Sequence, residues 1–332
     1  MKHPATWTRS DLHLHLQHAL ALEIWTIPLY LTALYSIKGL RGVKPHSYPD
    51  AAKLLYSIAV QEMLHIELVC NISNALGWTP RFHRPTYSNR VAVPFIHPRN
   101  EYLPEMLHGY PVIPGALNEN SLHLFCAIEL PHPKKENNWE AERSYDSISE
   151  MYDALRIGIE ALWDDCYIGD ENNTRQKYGF REYHNIGGRQ HGFSQPVFSK
   201  ENALKAIEAI VEQGEGATTL TVPIDYRPPE HTEDLDHDAG WFKGHLSHYQ
   251  KFLFLLHHKH SIPPVYEVTN DLSDSIEQRT MQESFVKLIE EMEVSFGEDG
   301  DELSISFWEK MYAFVNSLID VWESGSCPRF DW

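Results

Sequence analysis

The chain has 332 residues and a mass of 38.4 kDa, which fits two domains or one large, decorated domain. Hydrophobic residues make up 42% and charged residues 23%, a composition that excludes a disordered or low-complexity chain. The 28 basic and 47 acidic residues give a net charge of −19, which argues against nucleic acid or an anionic membrane surface as a partner. Four widely spaced cysteines, a polar start and no apolar run of eighteen residues predict a cytoplasmic protein with reduced thiols.

Apolar residues recur at three- and four-residue steps along much of the chain, the period of amphipathic helices. Core helices are predicted over about 11–38, 49–76, 199–216 and 239–260, with two more over about 280–296 and 304–323. The proline-rich stretch 80–198 is predicted as an insertion with short helices near 121–130 and 147–163, and 264–332 as a helical extension. The expected fold is mainly α: one domain, 1–332, built on a four-helix bundle.

Polar residues fall inside the apolar stripes of three predicted core helices. Glu23 is in phase with the stripe of the first helix, and Glu62 and His65 lie three residues apart on the second. His245 and His248 repeat that spacing on the fourth. Because a carboxylate buried without a partner costs several kcal/mol, a shared cation is the most economical explanation. A single histidine on an apolar face, by contrast, is usually a hydrogen-bonded core residue.

The third core helix offers three glutamates, Glu208, Glu212 and Glu215. Di-iron carboxylate bundles take one Glu from each of two helices and Glu-x-x-His from each of the other two. Glu215 lies nearest in helical phase to the apolar centre around Ile207, followed by Glu208 and then Glu212. Glu215 is therefore the favoured ligand, with Glu208 as the next candidate.

Six segments of the chain resemble one known protein family. They are LALEIWTIPLYLTALYSIK (20–38), VQEMLHIELVCNISNALGWTP (60–80), FCAIELP (125–131), AIEAIVEQGEG (206–216), HLSHYQKF (245–252) and PPVYEVTND (263–271). In these segments the chain resembles the ferritin-like domain family known from iminophenyl-pyruvate dimer synthases of bisindole biosynthesis. The resemblance implies a ferritin-like four-helix bundle whose metal site is formed by Glu23, Glu62, His65 and His248, with Glu215 or a neighbouring Glu.

One position departs from the family pattern, which places Glu where this chain has His245, so that the fourth helix carries HxxH and not ExxH. Three carboxylates and three histidines form a less anionic site than four and two, one that tolerates Fe(II), Mn(II) or Zn(II). If His245 points away from the site, one metal position is lost. The sequence leaves open whether the centre is mononuclear or dinuclear.

The expected function is that of a non-haem dinuclear metal oxidoreductase with two iron ions. The expected partners are O₂, a small organic substrate such as an amino-acid derivative, and a second copy of the chain in a homodimer. Insertions 81–145 and 164–198 are predicted to form the substrate cavity. Tyr30, two turns after Glu23, is interpreted as a core residue. The alternative is a ferritin-like protein that binds metal or a partner without catalysis.

Overall fold

Residues 2–87, 112–130, 145, 147–180, 195–214, 246–269 and 274–331 are described by the structure, a computed structural model. Eight α-helices lie within them: α1 (Arg9–Tyr35), α2 (Asp50–Ala75), α3 (Glu119–Ile128), α4 (Ile148–Cys166), α5 (Lys200–Gly214), α6 (His248–His257), α7 (Ile276–Gly297) and α8 (Ile305–Glu323). The β-pairing within the described residues is an isolated bridge between Ile37 and Val265. The predicted mainly-α fold is confirmed.

Helix α1 is the central element of the molecule and packs against α2, α4 and α8. Eighteen of its 27 residues are buried, including Pro28 within the helix. A helix with neighbours on several sides must be apolar around most of its circumference, not along one stripe. Helix α2 has 21 of its 26 residues buried and pairs with α1 along its length.

The remaining bundle contacts differ from the predicted arrangement. Helix α3 packs mainly on α6, and α4 mainly on α5, while α2 touches both α5 and α6. The third and fourth predicted core helices, α5 and α6, contact each other less than each contacts a helix of the segment 80–198. Helices α3 and α4 come from the predicted insertion 80–198, so that segment contributes to the core and is not only a covering layer.

Local hydrogen bonds determine where α1 and α6 begin. Thr8 caps α1 in a reciprocal capping box with Asp11, so the helix begins at Arg9, two residues before the predicted start near 11. Ser247 caps α6 in a box with Gln250, so this helix begins at His248 and the predicted start at 239 is wrong. Because Ser247 has extended backbone angles, α6 does not continue back through this residue.

Helices α7 and α8 pack on each other, and α8 also packs on α1, so the C-terminal helices extend the core. The Trp322 side chain is fully buried, and its Nε1 donates to the Thr32 carbonyl oxygen over 3.1 Å. At the other end of the bundle α2 is followed by Gly77, with φ of 79°. A Cβ there would approach Ile168 Cγ2 to 2.7 Å, so glycine is required for both its conformation and its close contact.

Candidate metal centre

Five buried side chains from four helices converge in the middle of the bundle. They form two groups that share one residue, namely Glu23, Glu62 and His65, and Glu62, Glu129 and His248. Within each group the potential ligand atoms all lie within 4.8 Å of one another. All five residues are 3% exposed or less. Charged and imidazole groups this deeply buried need pairing or a cation.

The first group joins α1 to α2. His65 Nδ1 lies 3.3 Å from Glu23 Oε2 and 3.8 Å from Glu62 Oε2. The other ring nitrogen, Nε2, lies 3.1 Å from Gln213 Oε1 on α5. A proton on Nε2 would be donated to this amide oxygen, which leaves the Nδ1 lone pair facing the two carboxylates. Metal-binding histidines are commonly oriented in this way by a partner on the far nitrogen.

The second group joins α2 to α3 and α6. His248 Nδ1 lies 2.9 Å from Glu62 Oε1 and 3.7 Å from Glu129 Oε1. The rings of His248 and His65 are stacked with their centroids 5.4 Å apart. The two imidazoles therefore lie face to face, one in each group.

Glu62 is common to both groups, and its two carboxylate oxygens are divided between them. Oε2 lies 3.8 Å from His65 Nδ1 in the first group, whereas Oε1 lies 2.9 Å from His248 Nδ1 in the second. A carboxylate in this position could bridge two ions, as carboxylates do in dinuclear bundles. The arrangement therefore provides three carboxylates and two imidazoles for up to two cations.

Hydroxyl groups hold the three carboxylates in place. Tyr30 donates to Glu129 Oε1 over 2.6 Å, and Tyr152 on α4 donates to Glu23 Oε1. The Thr26 hydroxyl lies 3.0 Å from Glu62 Oε2 and 2.8 Å from the Glu23 carbonyl oxygen. The interpretation of Tyr30 as a core residue is thus incomplete, because its phenol is buried and also bonds a site carboxylate. Each carboxylate is oriented by a donor from α1 or α4.

The pKa values of Glu23 and Glu62 are shifted in opposite directions. Burial, followed by the charges of Glu23 and Glu129, raises the pKa of Glu62 well above its ordinary value. Burial also acts to raise the pKa of Glu23, but the hydrogen bond and charge of His65 outweigh it and lower that pKa. Burial lowers the pKa of His248 and so favours the neutral imidazole that can coordinate a metal.

A buried lysine lies next to the site. Lys251 is one turn after His248 on α6, and its Nζ donates to Gln61 Oε1 on α2. Burial lowers the pKa of Lys251 to about 7, although the charges of Glu62 and Glu129 act in the opposite direction. The ammonium form offsets part of the negative charge of the three carboxylates.

The surroundings of the His248 ring nitrogens indicate that these side chains fit a metal. Both ring nitrogens of His248 are buried, and within the described part of the chain neither makes an aligned hydrogen bond. Buried polar atoms are nearly always satisfied, so an orphaned imidazole beside two carboxylates indicates a missing partner. Imidazole nitrogen with carboxylate oxygen is a donor set that suits Fe, Mn or Zn.

Comparison with known proteins agrees with this geometry. The Ferritin-like family model matches residues 16–257, which is most of the chain. The chain belongs to the Ferritin-like family. This ferritin-like protein is also similar to a ferritin-like protein from Caulobacter vibrioides of known crystal structure, with 27% identity and a TM-score of 0.74. The match covers 98% of this chain and 99% of the other. A comparison with curated proteins gave no match.

None of the helices in the described ranges is long and apolar enough to cross a membrane.

The structure brings together four of the six predicted ligands of this ferritin-like protein, Glu23, Glu62, His65 and His248. The other two, Glu215 and His245, lie outside the described residues. Glu215 directly follows Gly214, where a Cβ would lie 3.4 Å from Glu129 Oε2, so the described end of α5 reaches the site.

The alternatives on α5 do not reach the site. Glu208 and Glu212 are exposed, and Gln213 is the α5 side chain that contacts a site residue. These two glutamates are therefore not ligands in this arrangement.

Glu129 is the site residue that the sequence reasoning missed. It directly follows α3, which was predicted only as a short helix of the insertion. A signal was present, because Glu129 follows the buried residues Leu122 and Phe125 by seven and four positions. It is thus in phase with the buried face of its helix, as Glu23 is with that of α1.

Proposed function

We propose that this ferritin-like protein is a non-haem dinuclear metal oxidoreductase that uses iron and O₂ to oxidise a small organic substrate. The observation that carries the proposal is the division of the Glu62 oxygens between two buried groups of Glu and His. Dinuclear iron bundles use this kind of mixed carboxylate and imidazole donor set.

Glu23, Glu62 and His65 would hold one ion, and Glu62, Glu129 and His248 the other. Bound iron would supply the one-electron redox steps that O₂ chemistry needs and that protein side chains lack.

The side chains around the ligands would position them and control protons. Tyr152 and Tyr30 donate to Glu23 and Glu129 through their phenols. Burial, followed by the charge of Glu23 on Tyr152 and of Glu129 on Tyr30, raises both phenol pKa values well above 10. Both groups therefore keep their protons at neutral pH and remain donors. Lys251 would supply compensating positive charge at the edge of the site.

The resemblance to iminophenyl-pyruvate dimer synthases supports an amino-acid-derived substrate from secondary metabolism. It rests on the six segments quoted above, four of which carry site residues: Glu23, Glu62 with His65, Glu129, and His248. A cytoplasmic location and a homodimer are part of the same proposal.

A non-catalytic metal protein is the second candidate, and one observation favours it. All five site residues are almost completely buried, and closed sites are typical of structural metals. An enzyme would need an opening through which substrate reaches the metals, whereas a structural metal site needs none.

The test begins with metal content of the purified protein after anaerobic Fe(II) loading, measured by mass spectrometry and Mössbauer spectroscopy. We expect two ions per chain and O₂ consumption with a panel of amino and imino acids. Metal binding without O₂ consumption would support the second candidate, and absence of metal would refute both. Glu62→Ala should abolish binding. Glu67→Gln is the matched control, because Glu67 is equally buried on α2 but accepts from the Gly179 backbone N–H.

A further inference from the structure

A cavity of about 770 Å³ lies between the α1–α2 pair and the α7–α8 pair. This volume falls within the range of roughly 300–1,000 Å³ that is typical of small-molecule pockets. Its walls include Ile27 and Leu31 from α1, Met63 from α2, Leu288 from α7 and Val315 from α8. The cavity is thus formed where the C-terminal helices pack on the bundle.

The cavity is distinct from the candidate metal centre. Ile27 follows Thr26, which contacts Glu62, and Met63 follows Glu62 itself. None of the five site residues lines the cavity, although Ile27 lies one turn after Glu23 on α1 and Ala59 one turn before Glu62 on α2. The cavity therefore lies beside the ligands along the α1–α2 pair and is lined by other side chains.

The charge at the cavity is opposite to that of the molecule as a whole. Lys44 and His46, both exposed, lie in the connection between α1 and α2 and line the cavity. None of the described lining residues is Asp or Glu, although the chain has 47 acidic residues and 28 basic ones. Two acids nearby on α8, Asp320 and Glu323, are paired with Arg41 at 2.6 and 3.0 Å.

We propose that this cavity binds an organic anion of the fatty-acid type, a carboxylate with an extended apolar body. The carboxylate would lie against the Lys44 ammonium, with the His46 imidazole beside it, and the body among the apolar walls. The inference does not depend on the metal or on catalysis.

The test measures binding of dodecanoate to the full-length protein by isothermal titration calorimetry, with dodecanol as the uncharged counterpart. We expect dodecanoate to bind at least tenfold more tightly than dodecanol. Lys44→Glu should weaken dodecanoate binding at least tenfold and leave dodecanol unchanged. Lys205→Glu is the charge-matched control, because Lys205 is exposed on α5 and pairs with Glu201, away from the cavity.

A second variant fills the cavity. Ala59 lines it from α2, so Ala59→Phe should weaken binding of both ligands at least tenfold. Val315→Trp fills the cavity from the opposite wall. It replaces Ala59→Phe in the test if circular dichroism shows that Ala59→Phe does not fold. Metal content per chain should stay at the wild-type value in each folded variant.

Three results would overturn the proposal. The first is absence of dodecanoate binding. The second is unchanged affinity in the filled variants, which would place the ligand elsewhere. The third is equal binding of dodecanoate and dodecanol with no effect of Lys44→Glu, which would show an apolar site without anion recognition.

Discussion

Replacing Glu62 with glutamine tests the centre of the site directly. Glu62 is 2% exposed and belongs to both groups of potential ligands. Glutamine keeps the shape and the Thr26 contact but removes the negative charge and the titratable proton. The change should therefore affect metal binding and the pH dependence of stability together.

In the metal-free protein the raised pKa of Glu62 links folding to protonation. The folded state keeps a proton on this group at pH values where an unfolded glutamate, with a pKa near 4.5, releases it. The stabilisation from this proton is complete below about pH 4.5 and is lost as pH rises toward the folded-state pKa. For one proton the slope is at most about 1.4 kcal/mol per pH unit. Glutamine removes this slope, so metal-free Glu62→Gln should become progressively more stable than metal-free wild type above pH 4.5.

Added metal should stabilise wild type more than Glu62→Gln, the reverse of the difference expected in the metal-free proteins. Wild type gains about 2.7 kcal/mol at a free metal concentration of 100 times Kd, because the ligand binds only the folded state. Glu62→Gln replaces one of the two carboxylate oxygens with an amide nitrogen and removes the negative charge shared by both groups, so it should gain little at the same concentration.

The assay is urea unfolding followed by circular dichroism at several pH values between 5 and 8, with and without anaerobic Fe(II). Glu67→Gln is the control, since it removes an equally buried carboxylate of α2 that lies in neither group. It should keep the metal-dependent gain. Parallel pH profiles of metal-free wild type and Glu62→Gln, or equal stabilisation of both by Fe(II), would refute the reasoning.

Four further outcomes are expected. Glu129→Gln should lower metal content by up to one ion per chain, because Glu129 belongs to one group only, and full metal content would exclude it as a ligand. His245→Ala should also lower metal content, and an unchanged content and spectrum would remove His245 from the ligand set. Trp322→Ala should cost about 3–5 kcal/mol in urea unfolding and leave metal content unchanged, and a loss of metal would show that the C-terminal helices support the site. Asp11→Asn should cost about 1 kcal/mol at pH 7 through the α1 cap. Since hydrogen bonds from Thr8 lower the Asp11 pKa to about 2, this cost should disappear as pH falls from about 4 toward 2, and a constant cost would contradict it.

The helices with long apolar stripes were predictable from the sequence, and so were the ligands on them. Glu23 on α1 and Glu62 with His65 on α2 interrupt stripes that are otherwise apolar, and the structure places all three together. Polar residues in such a stripe carry a large desolvation cost, which is why they indicate a site before any fold is known.

The contribution of α3 and α4 was not predictable from the sequence. Both helices lie in a proline-rich stretch, and their positions depend on contacts with α6, α5 and α1 that are remote in sequence. The phase of Glu129 with Leu122 and Phe125 indicates its burial, but local periodicity does not report that Glu129 and Tyr152 meet the ligands of α1 and α2.

The start of α6 was misplaced for a different reason. The three-residue spacing of His245 and His248 resembles one helical turn and suggested a helix through both. The sequence also contains the competing signal, Ser247 followed three residues later by Gln250, which is the pattern of a capping box. The local cap prevailed over the apparent periodicity.

The cap at Ser247 also makes the position of one ligand independent of the chain before it. His248 is the first residue of α6, whereas Glu23, Glu62 and His65 lie within the interiors of long helices. Two hydrogen bonds within four residues, Ser247 N–H to Gln250 Oε1 and Gln250 N–H to Ser247 Oγ, set where that helix starts. Insertions or deletions upstream can thus accumulate without changing the register of the histidine against Glu62.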